Sequence, residues 1–335
     1  MMLLLTLRRV LVSGCALLLC SSLATADTYT ARDTLGPLHD DRAAAARLLE
    51  RVYWEATSFE LTVGPSELAD EGDAVVRYPS PLPSGNSRMD TVAMLWFKAR
   101  DASGELLDEP APAVVLIHSM HGRLLFSKTI ARAFSRQGLH AFIMQMPGYG
   151  ERSEPGMSGV VAVFENASQA AADARRARDA VAVLPQVADG PIALQATSLG
   201  GFIASVAASL DDAFNPVMLA LTGGNGWDVL HKGDRDALAA RRRLAEYGYT
   251  GDTLRERLDL MEPLHVAHRL DPDRTWLYSG RHDTVIPPAN ADALAEAIGL
   301  DESHHRRLNA DHYSAILQLP VLIQEMVQLV RNADR

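Results

Sequence analysis

Ser198, Asp283 and His312 occur in this chain order, and together their residue types can perform acyl transfer. A serine hydroxyl is a poor nucleophile at neutral pH unless a nearby base takes its proton. An imidazole is such a base. A carboxylate behind it fixes the tautomer and stabilises the charged form. Ser198 stands in Ala196-Thr197-Ser198-Leu199-Gly200-Gly201, between the apolar run 191–196 and an alanine-rich run. A sharp strand-to-helix turn in this setting exposes a serine. It also aims the first helical N–H groups at whatever the serine attacks. Small residues at 196 and 200 permit the turn, although Ala196 stands where the motif has glycine. Asp283 lies in a loop after the short apolar run 276–279, and Pro287 and Pro288 close that loop. His312, in Asn309-Ala310-Asp311-His312-Tyr313, follows a strand-like run and precedes a helical one. Asp228 is the competing acid. Asp311 adjoins His312 and cannot easily reach the imidazole. His304 and His305 read as surface histidines near a strand end.

These loops need a scaffold that brings distant segments together. Strands are expected at 113–117, 140–145, 191–196, 216–221, 275–279 and 304–308. Helices are expected at 124–137, 166–184, 200–210, 289–298 and 314–332. Such alternation predicts an α/β fold, a mostly parallel central sheet with helices on both faces. Ahead of it lie a helix over 39–56, with Leu48, Leu49, Val52 and Tyr53 at helical spacing, strands at 58–63 and 74–78, and a proline-rich break at 79–86. A strand over 91–99 follows, then a loop. The expected organisation is a leader over 1–26, an N-terminal helix and hairpin strands over 27–90, and a catalytic domain over 91–335. Residues 224–264 form a long charged helical stretch between two strands. They read either as a solvated helix pair or as a cap over the serine, with Trp227, Leu230, Leu244, Tyr247 and Leu258 as its apolar face.

Two further strings complete a pattern. Ala113–Ile117 with His118-Ser119-Met120-His121-Gly122 reads as a buried strand and a His-Gly-like loop. The run 140–146 leads into Pro147-Gly148-Tyr149-Gly150. With the serine turn, Asp283 and His312, the chain over roughly 90–330 resembles the α/β-hydrolase superfamily, in its secreted esterase and dienelactone-hydrolase-like branch. The order serine, acid, histidine is the one that fold uses. The resemblance implies the α/β-hydrolase fold and an oxyanion hole built from backbone N–H groups. One donor is Leu199, and the second is Met120 or, less favoured, His121. Ser119 stands where the family usually has glycine. The function implied is an exported serine hydrolase of carboxylic esters, working through an acyl-enzyme. The alternatives are a serine peptidase of prolyl-oligopeptidase type and a non-catalytic binding protein of the same fold. The first would lack its propeller-length N-terminal region, and the second would usually lack a triad member.

The chain's 335 residues, 47% of them hydrophobic, suffice for one large domain. The net charge of −10 and the absence of a long basic run argue against a nucleic-acid partner. His118 and His121 have a His-Xaa-Xaa-His spacing with no further ligand group nearby, so no metal is expected. No phosphate-binding loop or dinucleotide glycine motif occurs, so no cofactor is expected either. Arg8 and Arg9, the apolar run 10–19 and Ala24-Thr25-Ala26 read as a cleavable export signal. The apolar run is too short for a convincing membrane span. A lipoprotein start at Cys15 and a twin-arginine route are competing readings. Losing Arg8 and Arg9 takes the charge from −10 to −12 and removes Cys15 and Cys20, the only cysteines.

Overall fold

The structure is a computed structural model, and it describes residues 26–66, 71–121 and 124–333. The leader reading over 1–26, with Cys15 and Cys20, lies outside the described residues except for Ala26. One ten-stranded sheet runs in the order β1-β2-β3-β4-β6-β5-β7-β8-β9-β10. Its strands are β1 (Asp27–Arg32), β2 (Ser58–Pro65), β3 (Ala74–Pro79), β4 (Thr91–Phe97), β5 (Ala111–Ile117), β6 (His140–Met144), β7 (Val187–Thr197), β8 (Phe214–Ala220), β9 (Thr275–Gly280) and β10 (His305–Leu308). The pairs from β1 to β4, and β4 with β6, are antiparallel; the pairs from β6 through β10 are parallel. The chain has the α/β-hydrolase fold.

The central strands are continuous apolar runs because both faces are covered. Val114–Ile117 and 141–144 are wholly buried. The helices are α1 (Ala43–Val52), α2 (Ser87–Asp90), α3 (Leu125–Arg136), α4 (Gly159–Glu165), α5 (Ala167–Ala182) and α6 (Leu199–Ala208). Then follow α7 (Gly226–Lys232), α8 (Asp236–Glu246), α9 (Gly251–Asp259), α10 (Pro288–Ile298) and α11 (Leu319–Asn332). The stretch expected as one helix over 314–332 divides into a 3-10 turn, Ser314–Gln318, and α11. Pro320 at the start of α11 suits that division, since proline is tolerated only in the first helical turn. Strand β1 and helix α4 have no counterpart in the sequence reading. β1 is a polar edge strand with one neighbour, and α4 is a short apolar run without helical amphipathicity.

The N-terminal strands are joined to the parallel sheet by buried ion pairs. Helix α5 carries Asp173, Arg175, Arg176 and Asp179, all buried. Arg176 pairs with Asp33 next to β1, and Arg175 pairs with both Asp179 (2.9 Å) and Asp211 (2.7 Å). Arg152 is wholly buried; it pairs with Asp173 at 2.7 Å and donates to the carbonyls of Met89 and Gln145. Each charge has its counter-charge, which is the condition for tolerating it away from water.

Candidate active site

In the order β6-β5-β7 the chain leaves β5 in one direction and later returns on its other side. A crevice opens at the carboxyl ends of parallel strands at such a reversal. Ser198 follows β7, and residues 118–121 follow β5, so both stand at this crevice.

Ser198 has φ +55° and ψ −121°, a conformation that non-glycine residues rarely adopt. The surroundings hold it there. Its N–H donates to the Ala220 carbonyl at 2.9 Å, and α6 begins at the next residue. Gly200 is required by close approach. A Cβ there would lie 2.4 Å from the Ile117 carbonyl oxygen and 2.5 Å from that of His118. The start of α6 is thereby pressed against the end of β5. The N–H groups of a first helical turn have no intrahelical acceptor, so that of Leu199 is available to a ligand.

His312 Nε2 lies 3.2 Å from Ser198 Oγ, and its Nδ1 lies 2.7 Å from Asp283 Oδ2. The other oxygen of Asp283 accepts from the N–H groups of Val285 (2.8 Å) and Ile286 (2.9 Å). These bonds orient the carboxylate, which is buried. With Asp283 accepting, Nδ1 carries the proton and Nε2 is free to accept one from Ser198. Asp311 shapes the histidine loop instead. Its carboxylate accepts from the N–H groups of Tyr313 (2.8 Å) and Ser314 (2.7 Å). Asp228 sits on α7 and pairs with Lys232 at 2.6 Å, with no contact to His312. His304 pairs with Asp301, whereas His305 is not a surface residue. It is buried in β10 with Nε2 2.8 Å from Ser279 Oγ, because β10 runs beside β9 and faces its side chains.

The loop after β5 is clamped from two sides. His118 is wholly buried, and burial pushes its pKa down to about 4. Neutral, it accepts the Met146 N–H at Nε2 (3.1 Å) and donates from Nδ1 to the Ser119 carbonyl (2.6 Å). That carbonyl shares its peptide unit with the Met120 N–H, and in a trans peptide the two point in opposite directions. The Tyr149 hydroxyl donates to the Met120 carbonyl at 2.8 Å. Burial raises the Tyr149 pKa, which keeps that donor protonated. The string Pro147-Gly148-Tyr149-Gly150 thus supplies a residue of the site surroundings that the sequence reading had treated as a turn alone. His121, at the rim, lies 3.4 Å from Asp236 of α8.

Helices α7, α8 and α9 contribute side chains to a cavity beside the serine. Val229, Leu230, Ala237, Ala240 and Leu258 line this cavity of about 60 Å³, which also touches Ser198, Leu199 and Met120. Leu244 is fully buried. Trp227 and Tyr247 do not line the cavity. Trp227 stacks on His231 under the Arg255 guanidinium, and exposed Tyr247 donates to the Gly156 carbonyl at 3.2 Å. Both side chains are amphipathic and serve helix surfaces. A second, larger pocket of about 380 Å³ also touches Ser198, lined by Ser119, Phe126, Thr197, His312, Tyr313 and Ile316.

An imidazole so held can remove the serine proton, and the start of α6 can stabilise the resulting oxyanion. Residues 108–223 match the family described as serine aminopeptidase, S33. That stretch holds Ser198 and the loop after β5 but neither Asp283 nor His312. No curated protein matches the chain. Among solved structures, the acetyl xylan esterase from Paenibacillus sp. R4 superposes with TM-score 0.60 at 15% identity, over 89% of this chain and 97% of that one. Acetyl xylan esterase 1 from Thermoanaerobacterium sp. JW/SL YS485 gives TM-score 0.60 at 13% identity, over 88% and 95%. A puromycin-hydrolyzing peptidase of Mycobacterium tuberculosis gives TM-score 0.56 at 16% identity, over 82% of this chain and 46% of that one.

Proposed function

We propose that this chain, an α/β-hydrolase by fold, is an exported serine hydrolase of carboxylic esters. One observation carries the reading: the His312 imidazole lies between Ser198 Oγ at 3.2 Å and the Asp283 carboxylate at 2.7 Å. Ser198 attacks the ester carbonyl as its proton passes to His312 Nε2. The oxyanion faces the N–H groups of Leu199 and Met120. The intermediate collapses, and the alcohol departs with the proton from His312. Water then attacks the acyl-enzyme, gives a proton to His312, and Ser198 regains its proton as the acid leaves. Export rests on the composition of residues 1–26.

The family match to serine aminopeptidases favours a second reading, hydrolysis of peptide or aryl amides by the same serine. A panel of p-nitrophenyl esters beside aminoacyl p-nitroanilides separates the two. Protein recovered from the exported fraction is expected to begin at Asp27, to hydrolyse the esters and to be labelled at Ser198 by a fluorophosphonate. Ser198→Ala should abolish both hydrolysis and labelling. Full labelling of that variant would sink the nucleophile assignment, and amides turned over faster than esters would favour the peptidase.

A further inference from the structure

We infer that the two pockets beside Ser198 divide the substrate unequally: a short acyl group enters the small cavity, and a bulky apolar alcohol occupies the larger one. The inference rests on the ester-hydrolase reading above and names its substrate class. The assignment of sides follows from where the proton must go. On collapse of the tetrahedral intermediate, the carbonyl carbon–alcohol oxygen bond breaks. The departing oxygen takes its proton from His312 Nε2, so the alcohol lies on the His312 side. His312 and Tyr313 line the larger pocket. The small cavity is lined by Ser198, Leu199 and Met120 but not by His312. The acyl chain is left with that direction.

The size of the cavity then sets the acyl length. It measures about 60 Å³, less than half the volume, about 150 Å³, of an apolar cavity that takes up benzene. In proportion, roughly two or three carbons fill it. Its walls, among them Val229, Ala240, Leu258 and Ile286, are buried and mostly apolar, with Asp236 the charged side chain among them. Asp236 lines the small cavity and Tyr313 the larger pocket, and the Arg235 guanidinium lies 5.1 Å from the Tyr313 ring centre. The larger pocket, at about 380 Å³, has room for a ring system. Phe126, Tyr313 and Ile316 give it apolar surface, and the neighbouring Leu125 and Leu317 are 65% and 81% exposed. Exposed apolar side chains grouped at a site mouth are surface that a ligand can cover.

Esters of alcohols with similar acidity test the division without changing leaving-group chemistry. For benzyl esters, kcat/KM is expected to fall about a hundredfold from acetate to hexanoate, because the added methylenes have no cavity to enter. Among acetates it is expected to rise about tenfold from ethyl to naphthylmethyl as the ring covers apolar surface. Leu258→Ala should move the acyl optimum to longer chains. Ile316→Asp, at an exposed position, should lower the naphthylmethyl-to-ethyl ratio about tenfold by placing a charge where the ring must sit. An enzyme that hydrolyses hexanoate as fast as acetate, or is indifferent to alcohol size, overturns the division and leaves the ester-hydrolase reading standing. Failure on every ester, with Ser198 intact, removes both. Should Leu258→Ala not fold, the wild-type panel and Ile316→Asp decide the question alone.

Discussion

At the scale of single residues, the site depends on hydrogen bonds whose direction matters more than their number. Asp283 accepts from two backbone N–H groups with one oxygen and faces His312 with the other. Asp283→Asn should preserve the fold, since its carbonyl oxygen can keep the backbone donors. The amide nitrogen then faces Nδ1 as a donor. That forces the proton of His312 onto Nε2, where it blocks removal of the serine proton. The corresponding exchange in a serine protease costs about 10⁴ in kcat. A loss of about 10³–10⁴ in ester hydrolysis, with unchanged thermal unfolding, is the expected outcome. Activity within tenfold of wild type would show that Asp283 does not set the tautomer.

At the scale of elements, the site is a meeting of the start of α6 with the end of β5. Gly200 makes that contact possible, since a Cβ would sit 2.4 Å from a backbone oxygen that cannot rotate away. Gly200→Ala should therefore push α6 off β5. The expected cost is about 1–3 kcal/mol, as for other overpacked positions. Activity should fall further than stability accounts for, because the Leu199 N–H moves relative to the loop holding Met120. Denaturant unfolding and kcat measured on the folded fraction check this. A variant as active as wild type per folded molecule would mean that the start of α6 takes no part in stabilising the oxyanion. The helical segment 226–259 is the other element to consider. Its contribution to the small cavity comes from Val229, Leu230, Ala237, Ala240 and Leu258 on inward faces. Trp227 and Tyr247 are therefore the wrong positions at which to test acyl selectivity.

At the scale of the whole molecule, three buried histidines tie stability to pH. His118, His140 and His305 are each pushed down to about 4, in every case chiefly by burial. His140 illustrates the neutral form. Its Nδ1 accepts from the N–H of Ala99 (2.9 Å) and the Trp96 indole (3.2 Å), and Nε2 faces the Gln186 carbonyl at 2.8 Å. The unfolded chain protonates histidine near pH 6.5. Between there and about pH 4 the unfolded state binds more protons, so stability rises with pH across that window and falls on acidification. Each proton contributes a slope of up to about 1.4 kcal/mol per pH unit. Urea midpoints at pH 7.5, 6 and 5 should decline progressively. A midpoint constant from pH 7.5 to 5 would mean that these side chains are not held neutral in the folded protein.

Much of this arrangement was legible before any coordinates. Continuous apolar runs marked the central strands, and the small residues around Ser198 marked a tight strand-to-helix turn, because both are local consequences of burial and backbone sterics. Chain order and loop position singled out Asp283 and His312. What periodicity cannot report is which residue lies opposite which. His312 and Ser198 are 114 residues apart, and their 3.2 Å approach depends on how six parallel strands stack side by side. The same reason explains the misread features. His305 looks like a surface histidine until β9 covers it, polar β1 gains its role only by pairing with β2, and a helical stretch does not reveal that Trp227 and Tyr247 face away from the serine. Residue types and turns are written in the local sequence. Neighbours and cavity volumes arise only from long-range packing, and the tertiary structure alone decides them.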